Sequence, residues 1–275
     1  MLYLWLTVVD ALGRDELNLP TLPDVALRVS RLCADPTVSV ARLAREIATD
    51  PATAARLMRV ANSAAYGGRP LDNLPQAVMR LGLQLTRTLV NRFVLEQMYV
   101  ARTPALAQIL RTSWARSLEV AAIAAVLARS RTKLNPATAM LAGLLHEIGL
   151  LPLASLVESR SELVDHPAAL REGLMRLQAR VGTHLLQAWN FPPELAQVPT
   201  LSADPARWHE GPADYADVVC VAALQEQRAR AGLLARLVNP HVPAYDQLGL
   251  NARFDLRRDA ASIAQLEAER QLLVA

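Results

Sequence analysis

Five histidines, two cysteines and scattered acids are the chemistry-bearing residues of this 275-residue chain. One pair stands apart. His146-Glu147 lies inside an otherwise apolar run, Asn135–Leu153 (NPATAMLAGLLHEIGLLPL). A neutral imidazole beside a carboxylate can ligate a divalent metal or move a proton. Burying such a pair alone costs several kcal/mol, so it must be paired, ligated or functional. His184 is the next candidate. His209 and His241 sit in loop-like stretches beside Trp208 and Pro240, and His166 precedes Pro167 at a helix end. Of these, His209-Glu210 is the pair that could fold back towards the doublet. Cys33 and Cys220 are isolated in helix-like segments and read as reduced, buried thiols. There is no phosphate-cradling glycine loop, no Gly-x-Ser-x-Gly elbow and no Cys-x-x-Cys.

The elements that must hold the doublet are helices. Asn135 can cap and Pro136 suits a first helical position, which predicts a buried helix from Ala137 to Val157 with the doublet at its centre. The run is long enough for a membrane span, but its central polar pair, Pro152 and the missing basic flank argue against one. The rest reads the same way. Helices are predicted over 1–19, 24–34, from Ser39 through Ile47, from Asp50 to Ala61, at 73–81 and from Leu83 to Val100. Further on they are predicted over 105–129 (one helix or a pair), 155–165, 168–189 (interrupted at Gly182), 215–237 and 259–273. Residues 199–213 form a turn-rich loop, with Asp214 and Asp217 at the cap and first turn of the helix that follows. Paired glycines at Gly67-Gly68 predict a left-handed helix stop. Ala and Leu dominate and no segment alternates with strand period, so the fold class is all-α.

The formal net charge is +3, and Lys133 is the sole lysine among 29 basic residues. The arginines sit singly or alternate with acids rather than forming a basic block. Two helices joined at Gly82 have the outline of a helix-turn-helix offering Arg87 and Arg92, but the second is too apolar to read a groove, and a core hairpin is expected instead. A cytoplasmic protein is expected. The N-terminal MLYLWLTVV is too short, and lacks the basic start, for a secretory leader.

In order along the chain come Leu19-Pro20-Thr21-Leu22-Pro23, Asp50-Pro51, Ala61–Gly67 (ANSAAYG) and Ala77–Gly82 (AVMRLG). Trp114–Ser117 (WARS), Leu141–Gly149, Gly182-Thr183-His184 and Trp189–Pro192 (WNFP) follow. This series resembles the bacterial HDOD family, the HD-related output domain, over about residues 15 to 240. The resemblance implies an N-terminal helical lobe (about 15–103) packed on an HD-like lobe (about 104–240), with 241–275 a C-terminal extension carrying one helix. It also implies kinship with metal-dependent HD phosphohydrolases, whose two metals are held by a histidine, a His-Asp doublet, further histidines and a final aspartate.

Carried over position by position, that ligand set is depleted. Arg116 stands where the first histidine would fall. His146-Glu147 replaces His-Asp, and the extra methylene displaces the carboxylate by roughly an ångström, where metal–ligand distances tolerate about 0.2 Å. His184 matches a later histidine. Thr200 and Leu201 occupy the neighbourhood of an adjacent histidine pair, and Ala223 that of the final aspartate. No catalytic residue, cofactor or metal is therefore expected; a residual metal would have only His146, Glu147 and His184. Arg116 is expected to pair with Glu147 in the metal's stead. The implied function is a non-catalytic signal-transduction output module that binds protein partners or a small regulator between its lobes. The alternative is a metal-dependent phosphohydrolase or phosphodiesterase with a reduced metal site. Expected partners are signalling proteins of cyclic-dinucleotide or two-component pathways. Homo-oligomerisation is compatible with the sequence, and neither membrane nor nucleic-acid binding is expected. No receiver, cyclase or kinase domain is in the sequence, so the input is expected from elsewhere.

Overall fold

The computed structural model describes residues 19–63, 66, 68–159, 167–231, 241–251 and 253–274. Among the described residues five helices come first: α1 (Asp24–Ala34), α2 (Val40–Ile47), α3 (Pro51–Ala61), α4 (Leu74–Leu81) and α5 (Leu83–Met98). Their starts are chemically marked. Ser39 accepts from the Arg42 amide, Asp50 from the Ala52 amide and Asn73 from the Gln76 amide, each such cap contributing about 1 kcal/mol. Gly82, at φ +77°, turns the chain from α4 into α5 in a backbone conformation costly for a residue with a β-carbon. Gly68 has the expected positive φ, +82°; Gly67 lies outside the described residues. Arg87 and Arg92 on α5 are both buried, so neither faces outward as a groove-reading residue would.

The second group comprises α6 (Pro104–Arg131), α7 (Pro136–Leu145), α8 (Leu150–Glu158), α9 (Pro167–Ala188), α10 (Pro193–Ala196), α11 (Val198–Ser202), α12 (Tyr215–Ala231), α13 (Pro243–Gln247) and α14 (Ala260–Val274). No strand forms among the described residues. The chain is all-α. Helix α6 is the axis of this half, with α7, α12 and α14 packed along it, while α5 packs on both α1 and α7 and so ties the two groups together. One buried apolar cluster runs from Leu22 to Leu273 through both groups.

The structure corrects several local expectations. The apolar run is not one helix: α7 ends at Leu145 and α8 begins at Leu150, so the doublet sits in the intervening turn rather than mid-helix. The 136–158 stretch is apolar enough to cross a membrane, yet 89% of its 18-residue apolar window is buried inside the fold. Residues 104–131 form one continuous helix, and Gly182 does not interrupt α9. Residues 198–202, expected as loop, are helical, because Pro199 opens a helix at its first turn instead of breaking one. The C-terminal extension has two α-helices and a 3-10 turn (Leu256–Arg258) among the described residues, not one helix. It is fastened to the body: Gln225 donates to the Tyr245 hydroxyl and the Phe254 carbonyl, and Arg270 pairs with Glu119. The helices expected over residues 1–19 and 155–165, the C-terminal part of the one over 215–237, and His166 fall wholly or partly outside the described residues.

Candidate functional site

Two close backbone crossings place the doublet. On α7, a β-carbon at Gly143 would lie 2.6 Å from the Ala121 Cα, so α7 sits directly on α6. In the turn, a β-carbon at Gly149 would lie 2.0 Å from the Gln178 carbonyl and 2.5 Å from the Gly182 nitrogen on α9. With the turn clamped between α6 and α9, Glu147 points at the face of α6 bearing Ser113, Arg116 and Ser117, three and four residues apart and hence on one side of the helix.

Glu147 is buried and doubly bonded. Arg116 Nη1 donates to its Oε1 at 2.7 Å, and Ser113 Oγ donates to its Oε2 at 2.7 Å. The expected Arg116–Glu147 pair is present. The same guanidinium reaches a second acid: its Nε lies 3.2 Å from Glu226 Oε2 on α12, close enough for ion pairing but not aligned as a hydrogen bond. Arg230, one turn further along α12, holds the other oxygen of Glu226 at 2.8 Å. Burial pushes the Glu226 pKa above the ordinary carboxylate value, outweighing the pull of Arg116 and Arg230.

His146 lies beside this pairing without a hydrogen bond to it among the described residues. Its Nδ1 lies 2.7 Å from the Gly143 carbonyl, so Nδ1 carries the proton and Nε2 keeps a lone pair. Nε2 is buried and without a hydrogen-bond partner among the described residues, 3.8 Å from Glu147 Oε1. Burial holds the His146 pKa below its ordinary value, against the attraction of Glu147. The Tyr99 hydroxyl is buried beside Ser113 and Ser117, and burial raises its pKa against their pull. Two openings lead from Arg116 to solvent. One, of about 380 Å³, is edged by Arg111, Thr112, Glu226 and Arg230; the other, of about 120 Å³, by Ser113, Glu147, Arg171 and Met175.

The remaining positions do not join this cluster into a metal centre. Thr200 bonds Thr183 at 2.8 Å and the Ala179 carbonyl at 3.2 Å, tying α11 to α9. Ala223 packs against the core and Leu201 is half-buried. His184 does not converge with His146 and Glu147. Among the described residues, the one trio of His and acid ligand atoms lying within 4.8 Å of one another is His209, Asp214 and Asp217. There Arg207 binds both aspartates and His209 Nε2 meets Asp217 at 2.8 Å, so His209 is not the free loop histidine expected. Asp214 and Asp217 do form the expected helix start, each accepting from the other's amide. At the doublet, the residues present do not fit a divalent ion: a guanidinium already occupies the Glu147 oxygen, and its charge would repel the metal. Sequence reasoning missed Ser113 and Glu226. Helical spacing, three residues before Arg116 and three after Ala223, puts each near a named position, but does not by itself single either out.

Comparison with known proteins assigns the class. The HDOD domain profile matches residues 19–205, and the chain belongs to the HDOD family. Among solved structures, a candidate metal-dependent phosphohydrolase of Shewanella amazonensis is 29% identical over 98% of both chains, with a TM-score of 0.83. An HDOD domain protein of unknown function from Geobacter sulfurreducens is 23% identical over 93% of both chains, with a TM-score of 0.67. A candidate signal transduction protein of Marinobacter aquaeolei is 22% identical, covering 95% of this chain and 61% of that one, with a TM-score of 0.63. No curated protein matches the sequence. The chain is thus an all-helical module of the HDOD family.

Proposed function

We propose that this HDOD protein is a non-catalytic output module of a bacterial signalling pathway, acting in the cytoplasm by binding a protein partner or a small regulator. One observation carries the reading: the Arg116 guanidinium lies between Glu147 and Glu226, where the related enzymes would gather metal ligands. A side chain cannot activate water as a bound divalent metal does, and Arg116 never deprotonates to serve as a base. His146 is buried with its one lone pair enclosed, so it offers no route to a substrate. The arginine-rich mouth of the cluster and the junction between the two helix groups are the surfaces such a module would use. Signalling proteins of cyclic-dinucleotide or two-component systems are the partners this reading favours.

The test is elemental analysis of the purified protein together with a phosphodiesterase and phosphomonoesterase screen in added manganese. The expected result is no stoichiometric metal and no turnover. One or more transition-metal ions per chain, lost on His146→Ala, would favour the alternative. That alternative is a phosphohydrolase with a reduced metal site, and the likeness to the Shewanella amazonensis protein keeps it in view.

A further inference from the structure

Where α1 meets the turn after α9, a cavity of about 130 Å³ opens between Leu27, Ser30, Arg31, Arg87, Trp189 and Phe191. Its aromatic wall is fixed. Trp189 Nε1 donates to the Pro20 carbonyl at 2.9 Å, the Trp189 and Phe191 rings lie 6.4 Å apart, and Asn190 between them holds a left-handed backbone at φ +56°. Set against this wall is Arg87, only 9% exposed. Its guanidinium makes a single hydrogen bond among the described residues, a long one of 3.3 Å from Nη2 to Thr138 Oγ1, and its Nε has no acceptor. It has no ion pair within the described residues. The nearest influences from acidic groups come from Cys33, Tyr215 and the exposed Glu194, and burial still lowers the Arg87 pKa. Arg116 and Arg92, also withdrawn from water, each have a carboxylate at hand. A buried charge without a counter-ion is costly, and this one borders a cavity.

We propose that this cavity binds a small organic carboxylate, its apolar or aromatic body against Trp189 and Phe191 and its carboxylate on the open side of the Arg87 fork. The planar guanidinium matches a carboxylate in two parallel hydrogen bonds. Ser30 Oγ accepts from Asn91 Nδ2 at 3.1 Å, which leaves its own hydrogen free to donate. Arg31 at the rim adds attraction at entry. A phosphate dianion would ask for more donors than one buried arginine and a hydroxyl supply. At about 130 Å³ the cavity is slightly smaller than the roughly 150 Å³ that holds a benzene ring, and because it opens to solvent part of the ligand can occupy its mouth. The site is separate from Arg116 and does not depend on whether that cluster is catalytic.

The test uses benzoate as probe, with benzyl alcohol and inorganic phosphate as controls, read by thermal shift and isothermal titration on the full chain. Benzoate at about 10 mM should raise the melting temperature, as any ligand selective for the folded state does, and neither control should match it. Arg87→Met should abolish the benzoate response without lowering the ligand-free melting temperature, because it removes a buried charge that has no ion pair among the described residues. A structural arginine would behave in the opposite way. Arg87→Lys, which keeps the charge but not the fork, should weaken benzoate at least about tenfold, equivalent to about 1.4 kcal/mol, and serves if the methionine variant does not fold. Ala34→Met, at the exposed rim, should obstruct entry with Arg87 intact. The proposal is overturned if benzoate gives no shift, if benzyl alcohol or phosphate gives the same shift, or if either Arg87 variant binds benzoate like the parent.

Discussion

Removing Arg116 should expose how the cluster is held. The Glu147 side chain is 4% exposed and takes hydrogen bonds from Arg116 and Ser113 alone among the described residues. Arg116→Met therefore leaves a buried carboxylate with one hydroxyl donor. Breaking a buried pair this way costs about 3–5 kcal/mol. Arg116 is itself 24% exposed beside an open cavity, so water can reach the stranded acid and the lower end, about 3 kcal/mol, is expected. For a chain of this size that is a fall in melting temperature of roughly 6–12 °C. Glu147→Gln keeps a hydrogen-bonding group and leaves Arg116 with Glu226, and should cost about 1–2 kcal/mol. The double variant strands no charge at position 147 and should cost about 1–2 kcal/mol less than the sum of the singles. The Glu226 contact is lost in both backgrounds that lack Arg116, so it cancels from the cycle. Urea denaturation of the four proteins measures all three quantities. Additivity within about 0.5 kcal/mol would refute the coupling.

Other perturbations test the framework. Gly149→Ala would drive a β-carbon to 2.0 Å from the Gln178 carbonyl, and should cost about 3 kcal/mol or more in urea denaturation; a near-neutral result would mean that α9 is free to move off the turn. The lowered pKa of His146 means the folded chain takes up that proton less readily than the unfolded chain. Its contribution to stability is thus complete above the ordinary imidazole value of about 6.5 and is lost as pH falls. The urea midpoint should drop between about pH 6.5 and 5, and His146→Gln should flatten that slope. His209 has the opposite sign, because its bond to Asp217 raises its pKa. Its NMR titration midpoint should lie above about 6.5, with its stabilisation full below that value and lost as pH rises through the midpoint; a lower midpoint would contradict the His209–Asp217 bond.

The helical class and the Arg116–Glu147 pair were legible because both rest on residue type at fixed spacing. In the sequence the pair shows as two departures from the pattern the resemblance implies, a cation in place of an implied ligand histidine and an acid retained in the doublet. Ser113 and Glu226 were less visible. Ser113 resembles any small polar residue on a helix, and Glu226 sits in a charged string, QEQRARA, that reads as a solvated face. Burial of Glu226 is decided by how α12 lies on α6, which is a tertiary fact. The break between α7 and α8 was hidden for the same reason. His146–Gly149 carries one glycine as a local signal, and it is the contact with α9 that fixes the turn. Arg87 was noted in the sequence only as a candidate outward-facing base, and its burial depends on packing between helices distant in sequence.

The contact of Gly149 with Gly182 is made backbone to backbone, and Gly143 meets the Ala121 backbone in the same manner. Such a joint carries no side-chain vocabulary of its own. Neighbouring residues can drift while the turn stays where it is, provided the glycines remain. The socket beneath it can then be re-keyed piecemeal: His to Arg and Asp to Glu are each one base change apart in the genetic code. Such exchanges at positions 116 and 147 leave both glycine joints untouched, so in this architecture the chemistry of the socket and the shape that holds it are separable.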